Sequence, residues 1–513
     1  MVLSDMSIER MKSAVESLYV STNIPGVVDT APGVADQVGA VAKTKARLSG
    51  LRSHFGLAPV HVTPATSLLA TAEHTTVNEF GTVDFRGILN LFFIILFVLN
   101  VRLVVENIMR YGPLLELPRM GVFDSPLIFL GYLLVFSLPY LSFVAERYVA
   151  QWSRAAANLM EASLITVTLA LPYAIVEHSH IHPLRSLFLL MASVVYAMKI
   201  GSYWHCGCNL FDLSKSDALK ALVTTVEIEK ETIQEAVKYP QCLSVKQMYM
   251  FVAYPTLVFQ LVYPRTERIR LRLVVRYLLE LVFCFILQFI LVEQYITPIL
   301  TNAIKGVNER ISMKQDFVSL SWFLLERLLK LSIPILYIWL LMFAELFHCW
   351  LNLLAELTCF GDRRFYLDWW NAVSIRDYWQ KWNMPVHNWL LRHMYKPLRR
   401  KGVSGHIAGF LIFILSGIVH EYLIVTPIGI TWSGGFGIVL LGFVLQIPLV
   451  VVTDTELVKN RPILGNVMFW VTWCFTGQPL AVLIYFVAAS SPTVITNLAR
   501  WLFYGISAAH DEL

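Results

Sequence analysis

Apolar residues gather in long runs along this chain, at roughly 87–109, 126–145, 158–177, 183–204, 271–300, 329–352, 407–427, 434–453 and 465–489. Each run is about the ~20 residues a helix needs to cross the hydrocarbon core of a bilayer. The pattern predicts an all-α polytopic membrane protein with about nine transmembrane helices. The stretch Trp501-Leu-Phe-Tyr-Gly505 is too short to span and reads as interfacial. Residues 1–85 are rich in Ala, Val, Thr, Ser and Gly without sustained periodicity, which predicts a mostly flexible cytosolic tail with at most a short helix over Ser7–Tyr19. No secretory signal opens the chain. A membrane domain over 86–490 follows, then a tail over 491–513. Residues 209–248 form a polar loop with a helical segment, Asp217–Lys238, whose Glu227, Glu229, Lys230, Glu231 and Glu235 read as a solvated face.

Composition agrees with the pattern. Of 513 residues, 56% are hydrophobic and 15% charged, with mean hydropathy +0.59, whereas soluble domains carry about 25% charged residues. Basic residues set the expected orientation. With a cytosolic N-terminus, two strongly basic segments face the cytosol. One holds Arg265, Arg268, Arg270 and Arg272; the other holds Arg363, Arg364, Arg376, Lys381, Arg392, Lys396, Arg399, Arg400 and Lys401. The expected luminal loop 428–433 has no basic residue, although 301–328 carries Lys305, Arg310, Lys314 and Arg327 against the trend. The chain ends His510-Asp511-Glu512-Leu513, a retention signal read in the lumen of the endoplasmic reticulum. An odd number of spans places it there. The expected location is the endoplasmic reticulum membrane. The seven scattered cysteines do not suggest a disulfide framework. His205, Cys206 and Cys208 lack a second ligand pair at metal spacing, so no metal is expected. No nucleic-acid partner is expected either.

The segment 359–402 is where chemistry concentrates. Five of the 14 tryptophans lie between Trp369 and Trp389. Tyr378, Trp379 and Trp382 are spaced to share a helix face. The sequence therefore predicts an amphipathic helix in the cytosolic interface, where Trp and Tyr settle. Arg363 to Lys401 holds nine Lys or Arg against two Asp. That charge suits anionic lipid heads, a phosphorylated ligand or simple anchoring. The polar Gln380, Asn383 and His387 within the aromatic face favour a ligand site.

A second candidate is Ile414-Leu-Ser-Gly-Ile-Val-His-Glu-Tyr-Leu-Ile-Val425, where His420 and Glu421 interrupt an apolar run. Ionisable residues inside a membrane segment are expensive and suggest function. Ser416 and His420, four apart, share a helix face. Glu421 points about 100° away and is expected to hold structure or meet another helix. A histidine kept in an apolar segment stays neutral, as a general base must be. Gln446 and Gln478 are amides in the next two runs, able to bond a neighbouring helix or to line a polar cavity with His420.

Three motifs together resemble the membrane-bound O-acyltransferase family: Phe365-Tyr-Leu-Asp-Trp-Trp-Asn371, Trp382-Asn-Met-Pro-Val-His-Asn-Trp389 and His420-Glu-Tyr-Leu423. Within that family they look most like the diacylglycerol branch. The sterol branch shares the first motif and the histidine but usually lacks the proline of Asn383-Met-Pro-Val-His387 and the Gly477-Gln-Pro479 pattern. The resemblance runs from about Asp84 to Tyr485. It includes Asn100–Asn107, Tyr263–Arg270 and Ala355-Glu-Leu357 leading into Gly361-Asp362. One departure is Gly402-Val-Ser-Gly-His-Ile407, less basic than the family tends to be before the histidine-bearing span. The resemblance implies a helical intramembrane reaction chamber, fatty acyl-CoA as co-substrate without a further cofactor, and diacylglycerol or another lipid alcohol as acceptor, drawn from the surrounding membrane lipid. It implies His420 as catalytic histidine and Asn383 as its partner. Glu421 and Gln446 are implied near the reaction centre, and Gln478 in the cavity. Gln380, His387, Trp389, Tyr395, Lys396 and Ser416 are implied along the acyl-CoA path. Tyr366, Asp368, Trp369, Trp370, Asn371, Trp379 and Trp382 are implied as substrate-binding. A homodimer or larger homo-oligomer is also implied. No Ser or Cys is paired with the base, so direct transfer without an acyl-enzyme is expected. The rivals are a sterol acyltransferase, a protein acyltransferase, and a proton- or ion-coupled transporter using His420 and Glu421 as a relay. A transporter does not explain the basic aromatic segment, and no internal repeat supports it.

Overall fold

The computed structural model describes residues 86–114, 126–179, 183–215, 227–313, 317–428 and 437–490. The tail 1–85, residues 217–226, Lys314, the loop 429–433 and the tail 491–513 with its His-Asp-Glu-Leu end lie outside the described residues. Seven helical segments among the described residues are long and apolar enough to cross a membrane. They are Pro126–Trp152, Arg154–Ser179, Pro183–Ser214, Leu271–Arg310, Val318–Leu357, Gly405–Ile428 and Pro462–Val487. The other two expected runs are also helical, as Arg86–Tyr111 and Ile438–Thr453. The latter has 16 residues, ~24 Å of helix, short of the ~30 Å apolar core. Seven spans therefore meet the criterion of length and hydropathy among the described residues.

Four π-helical turns interrupt these helices, at Ala145–Val149, Val292–Ile296, Ala344–Trp350 and Thr472–Gly477, and a fifth, Leu391–Tyr395, lies in the segment 359–402. A π turn inserts an extra residue and re-aims the side chains beyond it. Three of them hold a polar group in the protein interior: Glu146, Gln294 and Glu345. Each needs partners there. Glu146 takes both terminal nitrogens of Arg154, at 2.7 and 2.9 Å. Gln294 donates to Asn107 Oδ1 and the Gly112 carbonyl and accepts from Leu114 N–H, tying the end of Arg86–Tyr111 to the bundle.

The segment 359–402 is anchored at its start by two ion pairs to the buried Glu356. Glu356 accepts from Arg270 through the backbone N–H, Nε and Nη2 at 2.7, 3.0 and 2.9 Å, and from Arg363 Nη1 at 2.5 Å. Beside it Arg265 and Phe360 form an antiparallel bridge, and Gly361 N–H donates to the Pro264 carbonyl at 2.8 Å. Lys199 extends from the Pro183–Ser214 helix to the carbonyls of Phe251, Val252 and Tyr254, at 2.7 to 3.0 Å. A cation there satisfies carbonyls left open at the end of Val245–Ala253.

The expected amphipathic interfacial helix is not what forms. The segment folds into short helices, Ile375–Lys381, Met384–Leu390 and Lys396–Arg400, and its aromatics turn inward. Trp369, Tyr378 and Trp382 join Phe343, Phe347, Phe469 and Trp473 in one buried cluster. Trp382 stacks on Trp339 at 4.8 Å and 15°, and Tyr378 lies 4.6 Å from Trp473. Large rings bury more area against one another than at a wet interface, so the spans close around the segment.

Candidate active site

Three consecutive residues of the Gly405–Ile428 helix serve three directions. His420 Nδ1 lies 2.7 Å from the Ser416 carbonyl. A carbonyl only accepts, so Nδ1 carries the proton and Nε2 is left as the basic nitrogen. Glu421 is buried and accepts from Gly437 N–H at 2.6 Å. Gly437 is the left-handed residue, φ 99°, that starts the Ile438–Thr453 helix. The carboxylate therefore sits at the positive end of that helix and fixes where it begins. Tyr422 donates to the Leu169 carbonyl at 2.9 Å and meets Ser193 Oγ at 3.1 Å. The neighbours of His420 thus lock its helix to Ile438–Thr453 on one side and to Arg154–Ser179 and Pro183–Ser214 on the other.

Aromatic rings stand beside His420. Phe443 lies 5.0 Å from the imidazole. Trp379 brings the 359–402 segment to the same place, 5.5 Å from Phe443. In that segment Asn383 is the N-cap of Met384–Leu390, and its Oδ1 accepts from Val386 N–H at 3.1 Å. With its oxygen committed, the amide nitrogen is the end of Asn383 available to a ligand. His387 follows one turn later, half-buried, with its pKa lowered by that burial.

Apart from Trp389, the docking of this segment rests on residues to which the sequence reading gave no site role. Asn466 Nδ2 donates to the carbonyls of Trp370 and Ala372, each at 3.0 Å. Trp470 Nε1 also donates to the Trp370 carbonyl, at 3.2 Å. Gly465 is needed for the approach, since a Cβ there would stand 2.1 Å from the Val373 carbonyl oxygen. Ser374 caps Ile375–Lys381, and Thr453 Oγ1 accepts from Ile375 N–H. On the other flank, His393 Nε2 lies 2.8 Å from Ser202 Oγ and its Nδ1 lies 2.8 Å from His205 Nδ1. Trp389 Nε1 donates to the Met198 carbonyl at 2.8 Å. Asn466 carried the same signal that drew attention to Gln446 and Gln478, an amide in an apolar run. His205 and His393 carried none, because their pairing joins positions 188 residues apart.

The remaining expected residues divide by environment. Trp369, Tyr366 and Trp382 are enclosed by protein, and Tyr366 Oη bonds His348 Nδ1 at 2.9 Å. Asp368 pairs with Lys381. Gln380 and Asn371 are exposed, while Trp370, Tyr395, Ser416, Gln446 and Gln478 are half-buried. The expectation of Gln380 as a buried-type residue within the aromatic face does not hold. It falls on the open side of Ile375–Lys381, opposite Tyr378. Lys396, Arg399 and Arg400 form a basic end on the helix that follows. Partial burial pushes the Lys396 pKa down, and the charges of Arg392 and Arg400 add to this. Like charges gathered this closely are stabilised by an anion.

The family model for membrane-bound O-acyltransferases matches residues 162–487. Among curated relatives, the chain is similar to diacylglycerol O-acyltransferase 1 of Corylus americana, 36% identical over 78% of this chain and 71% of that one. It is similar to diacylglycerol O-acyltransferase 1-2 of Oryza sativa subsp. japonica, 36% identical over 78% of this chain and 80% of that one. Diacylglycerol O-acyltransferase 1 of Bos taurus is 33% identical over 80% of this chain and 82% of its own length.

Proposed function

Given that this chain belongs to the membrane-bound O-acyltransferase family, we propose that it transfers a fatty acyl group from acyl-CoA to the free hydroxyl of diacylglycerol, with His420 as the base. The acceptor follows from the names of the relatives and from the proline-containing motif Asn383–His387. The observation that carries the mechanism is the bond from His420 Nδ1 to the Ser416 carbonyl, which leaves Nε2 free to take a proton. His420 Nε2 removes the hydroxyl proton as the oxygen attacks the thioester carbonyl. The Asn383 amide, with Gln446 or Gln478, donates to the oxygen as it gains charge. The carbon–sulfur bond then breaks, and the proton held by His420 passes to the departing thiolate. The products are triacylglycerol and CoA. The basic end around Arg392, Lys396 and Arg400 receives the CoA phosphates on the cytosolic side. Glu421 supports the site by fixing the start of Ile438–Thr453.

This reading places the enzyme in the endoplasmic reticulum membrane with a cytosolic N-terminus, and as a homo-oligomer. The test uses the purified protein in lipid, labelled oleoyl-CoA, and diacylglycerol, cholesterol or no acceptor, with His420→Ala beside the wild type. Triacylglycerol from the wild type alone is the expected result. Sterol ester in its place would move the chain to the sterol branch. CoA release unchanged in a folded His420→Ala variant would remove the histidine mechanism.

A further inference from the structure

Three rings from three separate elements close on one another beside the proposed base. Phe413 comes from Gly405–Ile428, Phe443 from Ile438–Thr453 and Trp379 from Ile375–Lys381. The centroid distances are 5.1 Å for Phe413–Phe443, 5.5 Å for Trp379–Phe443 and 6.1 Å for Trp379–Phe413. All three pairs are in contact, so the rings form a closed triangle. Phe443 continues the contact to the His420 imidazole at 5.0 Å and is 6% exposed. Phe413 precedes His420 by seven residues on one helix face, ~10 Å toward the end that carries the basic segment 392–401. The triangle thus lies between the base and the charged, wetted end of the site. Along that same helix face the side chains are Phe413, Ser416, Gly417 and His420, so beyond the rings the first polar groups are those of the site itself.

We propose that Trp379, Phe413 and Phe443 form a collar that excludes water from His420 and so determines whether the acyl group reaches a lipid alcohol or is hydrolysed. The inference rests on the acyltransferase reading. A base that activates a hydroxyl activates water equally well. Attack by water on the thioester carbonyl breaks the same carbon–sulfur bond, adds hydroxyl to the acyl carbon and gives free fatty acid and CoA. Water arrives from the polar end, whereas the lipid alcohol arrives from the bilayer. The three rings, packed against one another, close the polar side of His420 to water, and the unbranched arm of the thioester passes beside them. Closing a site against water in this way suppresses hydrolytic side reactions. The packing that holds the rings together is ordinary aromatic contact; their position beside the base makes it selective.

The experiment measures product partition, which is independent of how much enzyme is active. Purified full-length protein in phosphatidylcholine vesicles receives labelled oleoyl-CoA and diacylglycerol, and free oleate and triacylglycerol are separated. In Phe443→Ala the ratio of oleate to triacylglycerol rises by about tenfold or more, and oleate release without acceptor rises with it. Phe443→Leu, which keeps an apolar plug, stays within about threefold of wild type. Adding His420→Ala to Phe443→Ala abolishes both products, since one base serves both. Phe413→Ala opens the same collar from another helix and raises the ratio even if Phe443→Ala does not assemble. A ratio unchanged in both alanine variants while both products fall together would reduce the rings to packing and overturn the inference. Wild-type protein that makes no ester from any lipid alcohol would overturn the transferase reading instead.

Discussion

Gly465→Ala tests whether the aromatic segment must sit where it does for activity. The added methyl would lie 2.1 Å from the Val373 carbonyl oxygen, 3.0 Å from its carbon and 3.2 Å from Val458. Neither Val373 atom is the free end of a flexible side chain, so the backbone of the segment must retreat by about 1 Å or more in a close-packed interior. The retreat stretches the bonds from Asn466 to the Trp370 and Ala372 carbonyls and from Trp470 to the Trp370 carbonyl. At about 1 kcal/mol net each, these sum to ~3 kcal/mol. Overpacking itself typically costs about 1–3 kcal/mol, so a loss of a few kcal/mol is expected. The effect on rate is larger than that on folding, because Trp379 and Asn383 travel with the segment. A misplacement of about 1 Å costs on the order of 100-fold. The assay is initial rate of triacylglycerol formation at saturating acyl-CoA, alongside thermal unfolding in detergent. Gly409→Ala and Gly442→Ala are the controls. A Cβ at either meets nothing within 4 Å, and each should keep activity and gain up to about 1 kcal/mol from helix propensity. Gly465→Ala with wild-type kcat would refute the claim that docking of this segment sets the active geometry.

Other expectations follow from single groups. Asn383→Asp keeps an oxygen for Val386 N–H but loses the amide donor. Stability should hold within about 0.5 kcal/mol while kcat falls on the order of 100-fold; an active Asp variant would remove Asn383 from oxyanion stabilisation. Burial raises the Asp362 pKa to about 6, above the ordinary 3.8, so the folded state is disfavoured once this group ionises. The penalty is absent below about pH 4 and approaches at most about 3 kcal/mol above pH 6. Asp362→Asn should therefore raise the melting temperature at pH 8 and leave it unchanged at pH 4, and an equal shift at both would contradict the burial argument. Lys396→Gln should raise KM for acyl-CoA about tenfold with little change for diacylglycerol, whereas the reverse pattern would place CoA elsewhere.

How much of this was readable in the chain follows from the range of the forces involved. Burial in lipid acts on every residue of a span, so run length alone placed the helices, and it did so at all nine positions. The cost of a polar group in an apolar run is also local. It drew attention to His420, Glu421, Gln446 and Gln478, and the expectation that Glu421 would hold structure agrees with its bond to Gly437. The cap that Asn383 places on Met384–Leu390 is also local, but the sequence reading took Asn383 only as a candidate site residue. Orientation of the aromatic segment was not local, because the same Trp and Tyr spacing serves an interface or a core. Only the presence of Phe343, Phe347, Phe469 and Trp473 on neighbouring helices turns Trp369, Tyr378 and Trp382 inward.

The sequence by itself determined a helical membrane protein and, through its motifs, the family, and it named candidate residues for the chemistry. The tertiary structure alone decided which groups meet. The Asn466 and Trp470 bonds to the 370–372 backbone span 94 to 100 residues. The pairing of His205 with His393 spans 188, and the Phe443 contact with His420 crosses between two helices. Such contacts depend on how helices rotate and approach, and each π turn re-aims the side chains that follow it. Helix periodicity therefore places a residue on a face without saying what that face will touch.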